Sequence, residues 1–168
     1  VRRFASLKPA AKDFRVIWDN AYCIHHVNDT HDKLLNIFDA CKGTESEDFF
    51  IEVTSTSKVT FPGAGISVLA ASDANIKAIK SRMTVQTIGY DKINQLRHVN
   101  YLKNIAGVEA HMDKHAAILK PKFDAVLDAF EKNLAGKGIA SWTNPNGGYF
   151  ISFFAKTKAE RYWSRFLK

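Results

Sequence analysis

A carboxylate at position 19 and a primary amine at position 58 are the two side chains around which a reaction could be organised. Asp19 follows the apolar run Phe14-Arg15-Val16-Ile17-Trp18, and Lys58 follows Phe49-Phe50-Ile51-Glu52-Val53-Thr54 and the hydroxyl-bearing Ser55-Thr56-Ser57. If the two runs are neighbouring strands of one sheet, both residues emerge at the same edge, although 39 positions separate them in sequence. A carboxylate there can hold a heterocyclic nitrogen protonated, while a lysine can form a Schiff base with an aldehyde. Tyr22, three residues after Asp19, and the hydroxyls of Ser55, Thr56 and Ser57 add donors suited to a ring oxygen and a phosphate. Residue type alone is modest support, because an acid after a strand is common and a loop lysine is usually solvated.

Other constellations compete and are poorer. Ser55-Thr56-Ser57-Lys58 also satisfies the Ser-x-x-Lys pattern of penicillin-interacting serine enzymes, which requires a helix start and Ser-Asp-Asn and Lys-Thr-Gly partners. Here the segment follows a strand, and Ser72-Asp73-Ala74 and Lys156-Thr157-Lys158 match only in part. His111 and His115 have the four-residue spacing that can hold zinc on a helix, but Met112 stands where a zinc protease carries Glu. No third ligand is evident, so a polar helix face is the simpler reading, and no metal is expected. His25, His26 and His31 form a second cluster, and the first two follow Tyr22 closely enough to stand near a ligand.

The elements that must hold these residues can be read from periodicity. Residues 14–18 and 49–54 have the near-continuous apolar character of buried strands, and Ile66-Ser67-Val68-Leu69-Ala70 supplies a third. Between the first two, Leu34, Leu35, Phe38 and Cys41 recur at helical spacing before Gly43, which predicts a helix of about a dozen residues. Ser72 caps a helix running to Met83, and a further helix over 90–105 would turn Ile93, Leu96 and Leu102 inward before Gly107. A long helix over 108–134 follows, with Ile118, Phe123, Val126, Leu127 and Phe130 apolar and a kink expected at Pro121. Finally, Ile139-Ala140-Ser141-Trp142 and Tyr149-Phe150-Ile151-Ser152-Phe153 flank Asn144-Pro145-Asn146-Gly147-Gly148 as a hairpin.

Composition narrows the classes. The 168 residues include 24 Lys and Arg against 17 Asp and Glu, a net charge of +7, with 46% hydrophobic residues, which excludes disordered and disulfide-scaffold chains. Cys23 and Cys41 are too few for a disulfide framework and are expected to be reduced, in a cytoplasmic setting. The cations are scattered and no nucleic-acid-binding signature accompanies them, so no nucleic-acid partner is expected. No apolar run approaches a membrane span, so no membrane role is expected either.

Six segments together carry a resemblance. Trp18-Asp19-Asn20-Ala21-Tyr22, Ser55-Thr56-Ser57-Lys58, Thr60-Phe61-Pro62-Gly63-Ala64-Gly65-Ile66, Gln86-Thr87-Ile88-Gly89, Asn94-Gln95-Leu96-Arg97-His98 and Asn144-Pro145-Asn146-Gly147-Gly148-Tyr149-Phe150 stand in the expected order. The chain, from about residue 10 to residue 153, resembles fold type I pyridoxal-phosphate enzymes of the aspartate aminotransferase-like branch sometimes called MocR-type. That resemblance implies an α/β chain in which residues 1–110 form the C-terminal part of a large cofactor-binding domain with a mostly parallel, helix-flanked sheet. Residues 111–168 would form the interdomain helix and part of a small α+β domain. It further implies pyridoxal 5'-phosphate as cofactor, with Lys58 as the Schiff-base lysine and later proton shuttle. Asp19 would pair with the pyridine nitrogen, Tyr22 with the ring 3-oxygen, and Ser55 with the phosphate, Ser57 being a further cofactor-binding hydroxyl. The implied reaction is transamination between an amino acid, aspartate or a similar one, and a 2-oxo acid, in a homodimer.

Two departures stand out. Many fold type I enzymes carry a phosphate-clamping arginine eight positions after the lysine, where this chain has Ile66. The tail from Phe154 to Lys168 does not align with the family, so neither Arg161 nor Arg165 inherits a carboxylate-binding role. The upstream phosphate loop and ring-stacking aromatic are also missing, so the chain is expected to be a central-to-C-terminal portion. Two alternatives keep the fold and change the use: an effector-sensing domain of a transcriptional regulator, or a noncatalytic remnant whose Trp163, Phe166 and Leu167 cap its core.

Overall fold

The computed structural model describes residues 1–156; the Trp163, Phe166 and Leu167 pattern and Arg161 and Arg165 lie outside the described residues. The chain divides into two compact units, one built from Val1–Cys23 and Lys33–Val108, the other from Ile24–Asp32 and the described residues from Glu109 onward.

The first unit is organised by a three-stranded sheet in the order β1-β2-β3, with β1 at Val16–Asp19, β2 at Phe50–Ser55 and β3 at Ser67–Ala71. β1 and β2 are parallel with Val16 opposite Phe50 and Asp19 opposite Val53, whereas β2 and β3 are antiparallel with Ser55 opposite Ser67. The sheet described is therefore mixed. A parallel return needs a crossover of a dozen or more residues, and residues 56–66 are too few to supply one.

Strand alternation gives the sheet two different faces. Val16, Trp18 and Phe50 face the core formed with α1 (Arg2–Ala5) and α2 (Ile37–Cys41), where Ala5, Ile37, Cys41 and Phe50 are buried. Trp18 meets Phe4 and Phe50 edge-to-face, with ring centroids 5.8 and 6.4 Å apart. α2 is much shorter than the periodicity predicts. Asn36 accepts a hydrogen bond from the Phe38 amide at 2.8 Å and so starts the helix after Leu34 and Leu35, which are exposed.

α3 (Asp73–Met83) starts where expected, with the Ser72 hydroxyl accepting from the Asn75 amide. Asn75 is buried and ties this helix to the sheet side: Arg15 Nε donates to its Oδ1 at 3.1 Å, and its Nδ2 donates to Asp48 O at 2.7 Å. α4 (Lys92–Leu102) ends at Lys103, a non-glycine residue at φ 62°, four residues before the glycine expected to break it. Of its predicted inner face only Leu102 is half-buried. Ile93 is 78% exposed and Leu96 58%, whereas His98 is 3% exposed and is the residue this helix buries.

α5 (Ile105–Leu134), which belongs to the second unit from Glu109 on, runs through both Gly107 and Pro121. Met112 and Phe123 are its buried residues, while the apolar Ile118 and Val126 are exposed. Phe130 packs against Trp142 and Phe153 at ring separations of 5.4 and 5.1 Å, seating the helix on the hairpin of β4 (Ala140–Trp142) and β5 (Phe153–Ala155). The second hairpin strand lies later than predicted, pairing Trp142 with Phe153 and Ala140 with Ala155. The turn has another partner: Val27 N donates to Asn146 O at 2.9 Å, and Gly148 N donates to His25 O at 2.7 Å. Ile24–Asp32 thus pairs across the turn that joins the two hairpin strands, which sequence proximity to Tyr22 does not reveal.

His26 bridges to Gly147 and stacks on His31 with ring centroids 3.8 Å apart and planes within 5°. Burial, the neighbouring His31 and, less strongly, His25 push its pKa below the ordinary value of 6.5, with Asp32 opposing them. The unfolded chain therefore takes up this proton first as pH falls. The stability contribution is complete above 6.5 and is lost as pH falls through the depressed folded value. Thermal unfolding from pH 7.5 to 5.5 should show a falling midpoint, and His26→Phe should flatten that fall.

Among the described residues, no helix is long and apolar enough to cross a membrane, and no group of three or more His, Cys, Asp or Glu side chains could hold a metal ion. His111 and His115 lie together on α5 with ring centroids 4.8 Å apart. Cys23 and Cys41 are free thiols, and burial raises the pKa of each.

Candidate functional site

Asp19 is the last residue of β1 and stands opposite Val53, two residues before the end of β2. In parallel neighbours, opposed residues point to the same face, and so does every second residue along each strand. Asp19, Val53 and Ser55 therefore share the sheet face opposite the Trp18 core. Neighbouring strands lie about 4.8 Å apart and two residues span about 6.6 Å, so the Asp19 and Ser55 backbones stand roughly 8 Å apart on that face. The edge is fixed by three bonds across the strand ends. Asn20 N donates to Val53 O at 2.8 Å, the Thr54 hydroxyl to Asn20 O at 3.1 Å, and Asn20 Nδ2 to Glu52 Oε1 at 2.6 Å.

Lys58 follows at the same end of the parallel pair. Val59 N and Thr60 N both donate to Thr56 O, at 2.9 and 2.8 Å, closing a tight turn with Lys58 exposed near its tip and Val59 buried beneath. Before it, the Ser55 hydroxyl donates to the Ser57 hydroxyl at 3.1 Å, and Ser57 N points back to Ser55 Oγ at 3.4 Å. Two hydroxyls and an amide thus converge ahead of the lysine. Gly65 backs this group so closely that a Cβ there would lie 3.0 Å from Ser57 N, 3.1 Å from Ser57 Oγ and 3.2 Å from Thr56 Oγ1.

The turn is braced from behind by α4. Asn94 Nδ2 donates to Ala64 O at 2.8 Å and to Gly65 O at 3.3 Å, while His98 Nε2 lies 2.7 Å from Thr60 Oγ1 and 3.1 Å from Thr56 Oγ1. Neither Asn94 nor His98 is singled out as a supporting residue by sequence reasoning. Their four-residue spacing on a helix whose apolar residues point elsewhere was the available signal.

Tyr22 lies in the same unit, half-buried, three residues beyond Asp19. His25 and His26 belong to the other unit, where His25 packs on Tyr149 with ring centroids 5.2 Å apart. An apolar groove of about 970 Å³ lined by Leu69, Ile76, Ile79, Met83 and Ile88 also reaches Val53, Gly65 and Asn94, which border this group. Neither Asp19 nor Lys58 lines it, so it offers no reactive group of this set.

A carboxylate, two converging hydroxyls and an amine at one end of a parallel strand pair can grip a phosphorylated heteroaromatic aldehyde at its opposite ends. The aspartate amino-transferase family model matches residues 1–161. The chain belongs to that family. An aspartate aminotransferase from Corynebacterium glutamicum is 42% identical over 151 residues, covering 90% of this chain and 35% of the relative. The crystal structure of an aspartate transaminase from C. glutamicum superposes with a TM-score of 0.87 at 42% identity, covering 92% of this chain and 36% of that one. LysN, the α-aminoadipate aminotransferase of Thermus thermophilus solved with N-(5'-phosphopyridoxyl)-L-leucine, shares the fold at a TM-score of 0.68 and 22% identity, over 91% of this chain and 38% of that one. The aspartate amino-transferase family chain described here therefore spans little more than a third of the length of these relatives, and its sheet and flanking helices are part of the fold type I architecture.

Proposed function

We propose that the chain carries the lysine-bearing part of a pyridoxal-phosphate-dependent aminotransferase acting on aspartate or a similar amino acid and a 2-oxo acid. The observation that carries the reading is the common edge: Asp19 and Ser55 on one face of the sheet, with the Lys58 turn at the end of the same parallel strand pair. Pyridoxal 5'-phosphate, when bound, supplies an electron sink that no side chain offers.

Every other role falls to the chain. Asp19 would keep a proton on the ring nitrogen through a charge-assisted hydrogen bond. The Ser55 and Ser57 hydroxyls would hold the phosphate, the Ser55 O–H turning from Ser57 Oγ to do so, since Ile66 stands where an arginine would clamp it. The tight cradle supports this fit, since a side chain at Gly65 would fill the space behind those donors. Tyr22 would donate to the ring 3-oxygen. Lys58 Nζ would be the amine that holds the cofactor's aldehyde carbon, and the same nitrogen would be the base for the proton at the substrate α-carbon. A homodimer in the cytoplasm is the setting this reading assigns to the protein.

The test is turnover. The full-length protein that carries this chain, loaded with pyridoxal phosphate, is given aspartate and a 2-oxo acid, and the new amino acid is quantified against protein. Many equivalents per chain are expected. A spectral change on adding aspartate without turnover would favour the effector-sensing reading, and no response at all would favour the noncatalytic remnant.

A further inference from the structure

We propose that His98 is a positioning residue for Lys58, its buried imidazole holding both flanks of the turn that presents the amine; this rests on the reading of Lys58 as the cofactor-bearing lysine. His98 lies on α4 and is 3% exposed. Its Nδ1 is 2.9 Å from Asn94 O, and since a carbonyl oxygen can only accept, Nδ1 carries the hydrogen. In the neutral ring, Nε2 is then an acceptor. It faces the hydroxyls of Thr60 at 2.7 Å and Thr56 at 3.1 Å, which stand two residues to either side of Lys58.

Nothing about packing requires this choice. A buried polar ring is costly unless its nitrogens are matched, and an apolar side chain would fill the space without that cost. Among the described residues, the His98 ring's hydrogen bonds outside its own helix go to the Lys58 turn. Thr56 carries the constraint onward, its amide donating to Ile66 O at 2.8 Å and its hydroxyl accepting from Ile66 N at 2.9 Å. Phe61 closes over the imidazole edge-on, with centroids 6.5 Å apart. The imidazole therefore ties the turn to the strand that follows it, and with it the path of Lys58 relative to Asp19.

The experiment compares the unaltered chain with His98→Leu, His98→Gln and Thr60→Val, the last sparing the helix in case the histidine variants fold poorly. Two readouts are taken: hydrogen exchange of the Val59 and Thr60 amides without cofactor, and the rate at which visible absorbance grows on adding pyridoxal phosphate. That absorbance reports capture, in which Lys58 Nζ bonds the aldehyde carbon and the carbonyl oxygen leaves as water. His98→Leu and Thr60→Val should exchange faster at the two amides and capture roughly tenfold more slowly, and His98→Gln, which offers an acceptor at a similar reach, should recover most of the rate. Capture at the unaltered rate in His98→Leu and Thr60→Val, or equal slowing in the Gln and Leu variants, would overturn the positioning role while leaving Lys58 in place. Absence of Lys58-dependent absorbance in the unaltered chain would instead remove the underlying reading, and this proposal with it.

Discussion

Asp19→Asn should weaken binding of pyridoxal phosphate by about tenfold to a hundredfold, as measured by absorbance titration, with little change in the stability of the cofactor-free chain. The isosteric amide keeps the side chain's shape but removes the negative charge that favours a protonated ring nitrogen. Hydrogen bonds to charged groups contribute about 1.5–3 kcal/mol, which corresponds to that range of affinity. Asp19 is exposed at the strand end, and a surface substitution of this kind shifts stability by about 0.5 kcal/mol or less. Unchanged affinity would mean that the carboxylate does not meet the ring.

Gly147→Ala should destabilise the second unit by on the order of 3 kcal/mol, read from chemical denaturation. A Cβ at this position would collide with the backbone oxygen of His25 and lie 3.3 Å from its carbonyl carbon. Neither is the movable end of a side chain. Relief requires separating the two segments that Val27 N to Asn146 O and Gly148 N to His25 O hold together. Equal stability in the alanine variant would show that this close approach is not retained in solution.

The sheet that carries the candidate site was legible in the sequence because strand signals and motif residues coincide there. The runs before Asp19 and Lys58 are buried on the Trp18–Phe50 side, and the polar residues follow at the strand ends, where pairing stops. Ser72 similarly announced α3, since an N-cap acts locally. The helices that support the site were harder to read. Apolar periodicity reports which residues could be buried, and on α4 those residues meet little among the described residues, while polar Asn94 and His98 make the contacts that matter. The hairpin register and the pairing of residues 24–32 with the turn were hidden for a different reason. Both depend on a pairing between His26 and Gly147, 121 positions apart, for which neither strand propensity nor turn chemistry gives a local sign.

The account stands most directly on whether Lys58 takes up the aromatic aldehyde presented at the Asp19 edge. Purified chain mixed with pyridoxal phosphate should develop visible-range absorbance, and Lys58→Ala, an exposed substitution that leaves Val59 and the turn's backbone bonds in place, should abolish it. Absorbance that survives the substitution, or none in either protein, would contradict it.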